Sequence, residues 1–115
     1  MEALRPRTAT PASDTIKIKM RARALKLDAA QLAAISKALG DPKRFEMLQR
    51  IAEAPESPTC SCVCDWLSLA PATVSHHLKE LESAGLVTIR RDGKFAHISL
   101  NRDILQAYIR LLASL

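Results

Sequence analysis

Apolar residues along the chain recur first at helical and then at strand spacing, and the breaks between them are marked by capping and turn residues. Leu32, Ile35 and Leu39 fall three and four apart, on one face of a helix. Asp28 is placed to cap this first helix, and Leu39-Gly40 to end it. Asp41-Pro42 restarts the chain with a capping carboxylate and a proline at the first helical position. The second helix is predicted to turn Phe45, Leu48 and Ile51 inward and to stop at Pro55. After a short loop, a third helix is predicted over about 62–68, with Ser61 as its cap and Val63 and Leu67 as anchors. A turn at Leu69-Ala70 leads into a fourth helix, about 71–84, with Val74, Leu78 and Leu81 as its buried stripe. Gly85 followed by apolar Leu86 is a helix terminator.

Spacing then changes to the period of a strand. Leu86 to Arg91 and Lys94 to Leu100 flank Asp92-Gly93, a strong local signal for a β-hairpin, with Val87 and Ile89 on one face. Asn101 is placed to cap a last helix, about 102–114, whose apolar face (Ile104, Leu105, Tyr108, Ile109, Leu112) is wider than a small domain needs. A second copy of the chain is the natural cover for it. The expected fold is therefore mostly α with a small β-hairpin. A hairpin directly after the second helix of a helix-turn-helix makes it a winged helix-turn-helix.

Composition narrows this picture. With 115 residues the chain is long enough for one modest core, and with only 3% aromatics that core must be aliphatic. No apolar run approaches the roughly 20 residues that cross a bilayer, so no membrane partner is expected. The N-terminus lacks the apolar middle of a secretory signal, and a cytoplasmic protein is expected. The net charge of +5 resides entirely in the first 26 residues, where Arg5, Arg7, Lys17, Lys19, Arg21, Arg23 and Lys26 face only Glu2 and Asp14. Residues 1–24 read as a basic, partly disordered arm that either touches phosphates or stays solvated, and residues 25–115 as the domain. Because the domain itself is balanced in charge, DNA binding must be argued from the motif.

In a helix-turn-helix the second helix lies in the major groove. Thr73, Ser75, His76 and His77 are the polar groups on that helix, opposite Val74 and Leu78, and Lys79 can reach phosphate. Arg90, Arg91 and Lys94 surround the hairpin tip, where they would meet the neighbouring backbone or minor groove. None of the helix residues offers the arginine–guanine pairing, so the operator sequence is not legible. The expected partner is double-stranded DNA.

The segments Leu39-Gly40-Asp41-Pro42-Lys43-Arg44, Cys62-Val63-Cys64-Asp65, Thr73-Val74-Ser75-His76-His77-Leu78-Lys79 and Ala84-Gly85-Leu86-Val87 resemble the ArsR/SmtB family of metal-responsive repressors, over about residues 28–112. The resemblance implies a homodimer through the first and last helices, here Leu32, Ile35, Leu105, Tyr108, Ile109 and Leu112. It implies a repressor that binds its operator when metal-free and leaves it on binding metal. Where many members carry Ser-Gln before the recognition helix, this chain has Ala70-Pro71.

All three cysteines, Cys60, Cys62 and Cys64, lie within five residues. An odd, tight cluster is no disulfide framework, and in a reducing compartment it is a set of soft ligands. Trivalent arsenic or antimony takes three sulfurs in a pyramid, whereas zinc wants a fourth ligand. The arsenic-sensing branch resembles this chain at Cys62-Val63-Cys64-Asp65. Its third thiol often follows three residues later, where this chain has Leu67, and Cys60 stands in its place. Residues 101–115 hold Asp103 but no His or Glu, unlike members that bind zinc or nickel on the last helix, and the arm lacks the cysteines of cadmium and lead sensors. On a regular helix Cys60 and Cys64 share a face while Cys62 points roughly 160° away, so three sulfurs meet on one ion only if the helix start unwinds. The expected inducer is As(III) or Sb(III), with no organic cofactor. A thiol-redox or sulfur-species sensor of the same fold, a Cd, Pb or Zn sensor, and a non-regulatory metal-binding protein are the alternatives. No histidine lies near enough in sequence to make a thiol nucleophile, and His97 reads as a hairpin surface residue, so no enzyme is expected.

Overall fold

A computed structural model describes residues 26–115; the basic arm expected over 1–24 lies outside the described residues. The first helix, α1 (Ala29–Leu39), starts where Asp28 accepts the Gln31 N–H at 2.7 Å. α2 (Pro42–Glu53) starts on Asp41, whose carboxylate accepts from the Lys43 and Arg44 N–H groups at 2.8 and 3.1 Å. Arg44 then reaches back, donating to the Ala38 carbonyl at 2.9 Å and the Lys37 carbonyl at 3.2 Å. The Ala38 carbonyl is one that the end of α1 leaves without a helical partner, since Pro42 four residues on has no N–H, while the Lys37 carbonyl also accepts the Gly40 N–H at 3.2 Å.

The inward face of α2 differs from expectation. Met47, Leu48 and Ile51 are buried, while Phe45 is 46% exposed. Phe45 precedes Met47 by two residues, about 200° round the helix, and so cannot share its face. The flexible thioether of Met47 fills the centre of the core instead.

α3 (Cys60–Leu67) begins two residues earlier than predicted. Its cap is Thr59, whose hydroxyl accepts the Cys62 N–H at 3.3 Å; Ser61 is already inside the first turn. α3 ends on Ser68 in the left-handed region, φ 52°, which turns the chain into α4 (Pro71–Ser83). α4 has no side-chain cap, since Ala70 occupies that position. It ends on Gly85 at φ 81°, with the Leu86 N–H returning to the Leu81 carbonyl at 3.0 Å. A side chain at Gly85 would be strained by the backbone and would press on Gln31 of α1.

The strands β1 (Val87–Asp92) and β2 (Phe95–Leu100) pair antiparallel, from Val87 opposite Leu100 to Asp92 opposite Phe95. The two loop residues are Gly93-Lys94, one position later than Asp92-Gly93. Gly93 takes φ 61° at the first loop position while Lys94 has ordinary φ, the pattern of a type II′ hairpin. The chain before α3 adds to this sheet edge: the Ile98 N–H donates to the Pro58 carbonyl at 2.9 Å, and Thr59 bridges His97.

The last helix, α5 (Arg102–Ala113), follows Asn101, which does not cap it as predicted. Its amide donates to the Gly85 carbonyl at 2.9 Å and accepts the Thr88 hydroxyl at 2.9 Å, so the side chain ties the end of α4 to β1. α5 is held to α1 by a Tyr108–Ser36 hydroxyl pair at 2.9 Å. Among the described residues the core is purely apolar, with Ile35, Met47, Val63, Val74, Leu81, Leu86 and Ile98 wholly or almost wholly buried. Each such large side chain contributes about 1.5–3 kcal/mol of burial energy. One core drawn from α1–α4 and the hairpin thus fixes where α3, α4 and the hairpin stand.

Candidate nucleic-acid interface and thiol site

α4 turns Val74, Leu78 and Leu81 into the core, which obliges Thr73, Ser75, His76 and Lys79 to face outward, and all four are exposed. His77 is only half-exposed. Its Nδ1 is buried without a hydrogen-bond partner, and the ring lies near enough to Asp41 to help keep that carboxyl charged. The Asp41 carboxyl is held below its usual range first by the Arg44 backbone N–H, then by that of Lys43. The His77 ring centroid stands 5.9 Å from that of His76.

On the hairpin, Arg90, Arg91 and Lys94 are all exposed, but they do not act as one patch. Strand alternation sends Arg91 to the side of Ile89, facing α4, and Arg90 to the opposite side, beside His97. His97 is half-buried rather than a plain surface residue: its Nε2 lies 4.0 Å from Asp92 Oδ2 and its ring 6.5 Å from that of Phe95. Phe95, which alternation places on one side of the return strand, is 51% exposed at the tip, with the Lys94 ammonium 5.8 Å from its ring centre.

A groove of about 310 Å³ separates α4 from the hairpin. Ser75, Lys79 and Glu82 line it from α4, Arg91 from β1, and Cys60 from α3. Cys60 and the polar face of α4 therefore share one concavity, which linear spacing did not reveal because Cys60 and Ser75 meet only in three dimensions.

The three thiols are free and unequal. Cys60 and Cys64 are half-buried against the core, Cys62 is exposed, and among the described residues no three potential ligands are gathered for a metal ion. This is the helical separation expected from their spacing. The Thr59 hydroxyl, besides accepting from the Cys62 backbone, donates to Cys62 Sγ at 3.3 Å and draws its pKa below the usual thiol value. Burial pushes the Cys64 thiol up, reinforced by Cys60, which interacts with it, and by Asp65. Trp66 packs half-buried against the core two residues on.

On α5, Ile109 and Leu112 are 46% and 49% exposed, Leu111 is exposed as well, and Leu32, Leu105 and Tyr108 are half-buried. Ile35 is fully buried within the chain and offers no surface to a second copy. Its spacing marked the inner face of α1 correctly, but that face meets this chain's own core. No helix among the described residues is long and apolar enough to cross a membrane.

Comparison with known proteins agrees with this architecture. A helix-turn-helix domain family matches residues 39–90. The chain is 36% identical over 87 residues to an arsenical resistance operon repressor of Staphylococcus aureus, covering 71% of this chain and 77% of that protein. Among solved structures, a possible transcriptional regulator for arsenical resistance superposes with a TM-score of 0.62 at 28% identity, over 77% of this chain and 84% of that one. The homodimeric winged helix-turn-helix domain Mb0332 of Mycobacterium bovis shares the fold, with a TM-score of 0.62 at 24% identity, over 78% of this chain and 89% of that one.

Proposed function

We propose that this chain, which belongs to the ArsR family of DNA-binding transcriptional regulators rather than to an enzyme family, is a homodimeric repressor induced by a trivalent metalloid. In this reading As(III) or Sb(III) binds Cys60, Cys62 and Cys64, and the protein leaves its operator. The observation that carries the reading is the position of the thiols. They occupy the first turn of the helix that packs on α4, and the residues just before that turn are hydrogen-bonded to β2. A change at this turn reaches both elements that face DNA.

The chemistry supports that coupling. Three sulfurs at alternate positions cannot converge on one ion in a helix, but they do so in an extended segment, where alternate side chains share a side. Chelation by all three therefore opposes the Thr59 cap and the first turn of α3. An allosteric coupling is typically about 1–3 kcal/mol, a scale on which one helix cap of about 1 kcal/mol counts. Release of the cap also frees Thr59, whose backbone is paired with His97 in the hairpin.

For DNA, the uncapped start of α4 leaves backbone N–H groups pointing outward beside Thr73 and Ser75, where a phosphate is favoured. Lys79, His76, Arg90, Arg91 and Lys94 supply further contacts, and His77 supports them from its half-buried place beside α2. A second protomer covers Ile109 and Leu112 of α5 together with Leu32, Leu105 and Tyr108. The arsenical repressor relatives favour a metalloid over other soft ligands.

A mobility-shift assay on the DNA upstream of its own gene, with arsenite and with peroxide added separately, tests this. The expected result is a shifted complex that arsenite dissolves. No shift at all would sink the repressor reading for that DNA, and release by peroxide but not arsenite would make the thiols a redox sensor.

A further inference from the structure

The hairpin tip carries a large apolar side chain that the chain itself leaves uncovered. Among the described residues, the exposed large apolar side chains outside α5 and the final residue are Phe45 and Phe95, and Phe95 is the more exposed of the two. A side-chain carbon added at Gly93 would meet nothing within 4 Å, so the tip stands clear of the rest of the described chain. The two-residue loop Gly93-Lys94 holds Phe95 at the last pair of the ladder, opposite Asp92. The Lys94 ammonium lies 5.8 Å from the ring centre, so an apolar plate and a cation share the tip. The Asp92 carboxylate lies 4.0 Å from His97 Nε2, back along the hairpin.

α4 offers little to tell one base from another. Of its exposed Thr73, Ser75, His76 and Lys79, none carries the guanidinium that pairs with guanine, and the two hydroxyls bond to either kind of base. Discrimination that base edges do not supply comes from how easily the DNA deforms. We propose that Phe95 is an apolar wedge that enters the minor groove of the operator, unstacks a base step and bends the duplex, so that recognition falls partly on the deformability of that step. The proposal rests on the DNA-binding reading given above and adds a readout to it. The minor groove of B-DNA is about 6 Å wide, which excludes two strands about 4.8 Å apart with their side chains but admits one ring. Arg90, on the same face of the hairpin as Phe95, and Lys94 beside the ring are placed for the phosphates that flank the groove. The inserted ring leaves water for the faces of two base pairs, and separating those pairs costs least at a pyrimidine–purine step such as TA.

The test uses the full chain on the DNA upstream of its own gene. Circular-permutation gels read the bend, and permanganate reactivity of thymines reads the unstacking. The chain is expected to bend this DNA by at least about 20° and to make a thymine in each half-site hyper-reactive. Phe95→Ala weakens the complex by about tenfold and abolishes the bend and the reactive thymine. Phe95→Leu, still a wedge, keeps both and binds within about threefold of the unmodified chain. Replacing the reactive step by GC weakens the unmodified chain by about tenfold and Phe95→Ala by less than about threefold, a coupling that a misfolded variant cannot produce. Binding without a bend, an equal bend in Phe95→Ala, a straight complex with Phe95→Leu, or equal sensitivity of the unmodified chain and Phe95→Ala to the step each overturns the wedge and leaves the repressor reading standing. No binding to this DNA removes both.

Discussion

The two helices of the helix-turn-helix begin in opposite ways. α3 starts on Thr59, which accepts a backbone N–H and grips a thiol, while α4 starts on Ala70-Pro71, with no side-chain cap. The closed start keeps three potential ligands in separate places. The open start leaves its donors to whatever anion approaches, and in the proposed repressor that anion is a DNA phosphate. α3 is only eight residues long and the left-handed Ser68 turns it directly into α4, so one short helix and one turn link the two starts.

Cys62→Ser should have the largest effect. It removes the exposed sulfur that the Thr59 hydroxyl favours in its ionised form, and the arsenite concentration that half-dissolves the operator complex should rise by about tenfold to a hundredfold. Titration of the complex on a gel checks this, and an unchanged midpoint would show that Cys62 is no ligand.

Giving α4 the cap it lacks comes next. Ala70→Asp should raise stability by about 1 kcal/mol in urea denaturation while weakening operator binding by about tenfold at low salt, because its carboxylate sits where a phosphate belongs. Equal or tighter DNA binding would mean that the start of α4 does not face the backbone. The reverse change, Thr59→Ala, should cost about 1 kcal/mol of stability, with Thr59→Ser restoring most of it. If Thr59→Ala is silent in denaturation, the cap is not what holds the first turn of α3 closed.

Reactivity separates the thiols within that turn. A thiol whose pKa is lowered is more ionised at any pH below the usual 9.0, and one whose pKa is raised is less so. Limited alkylation at pH 7.5 followed by peptide mapping should therefore modify Cys62 first and Cys64 last. The opposite order would contradict the Thr59 hydrogen bond. The smallest effect concerns Asp41, the cap of α2. Its folded pKa lies below the usual 3.8, so its stabilisation is complete above that value and fades as pH falls through the lower folded one. Asp41→Asn keeps a capping oxygen and should flatten this acid-side slope in pH-dependent urea melts.

These contrasts also mark which features could be read from the chain alone. Asp28, Asp41-Pro42 and Gly85 announce helix ends through contacts within a few residues, and each acts in the structure as its local chemistry requires. The Val74, Leu78, Leu81 stripe likewise needs only the helical period to place the polar face of α4 outward. The separation of Cys62 from Cys60 and Cys64 follows from the same period.

Other features waited on what packs across. Phe45 and Met47 are both apolar on one helix, and only the position of the neighbouring helices sends the thioether inward and leaves the ring outside. Asn101 stands at a capping position, but two long-range partners, Thr88 and Gly85, take its amide. Thr59 rather than Ser61 begins α3, and the residues before it are paired with β2 at that point. Arg90 and Arg91 are neighbours in sequence, yet they part across the hairpin once its pairing is set. The groove that joins Cys60 to Ser75 and Arg91 has no local signature at all. Sequence determined the elements and their faces, because caps and periodicity act over three or four residues. Tertiary structure decided what the thiols face, because the groove beside Cys60 depends on elements that meet only when the core closes.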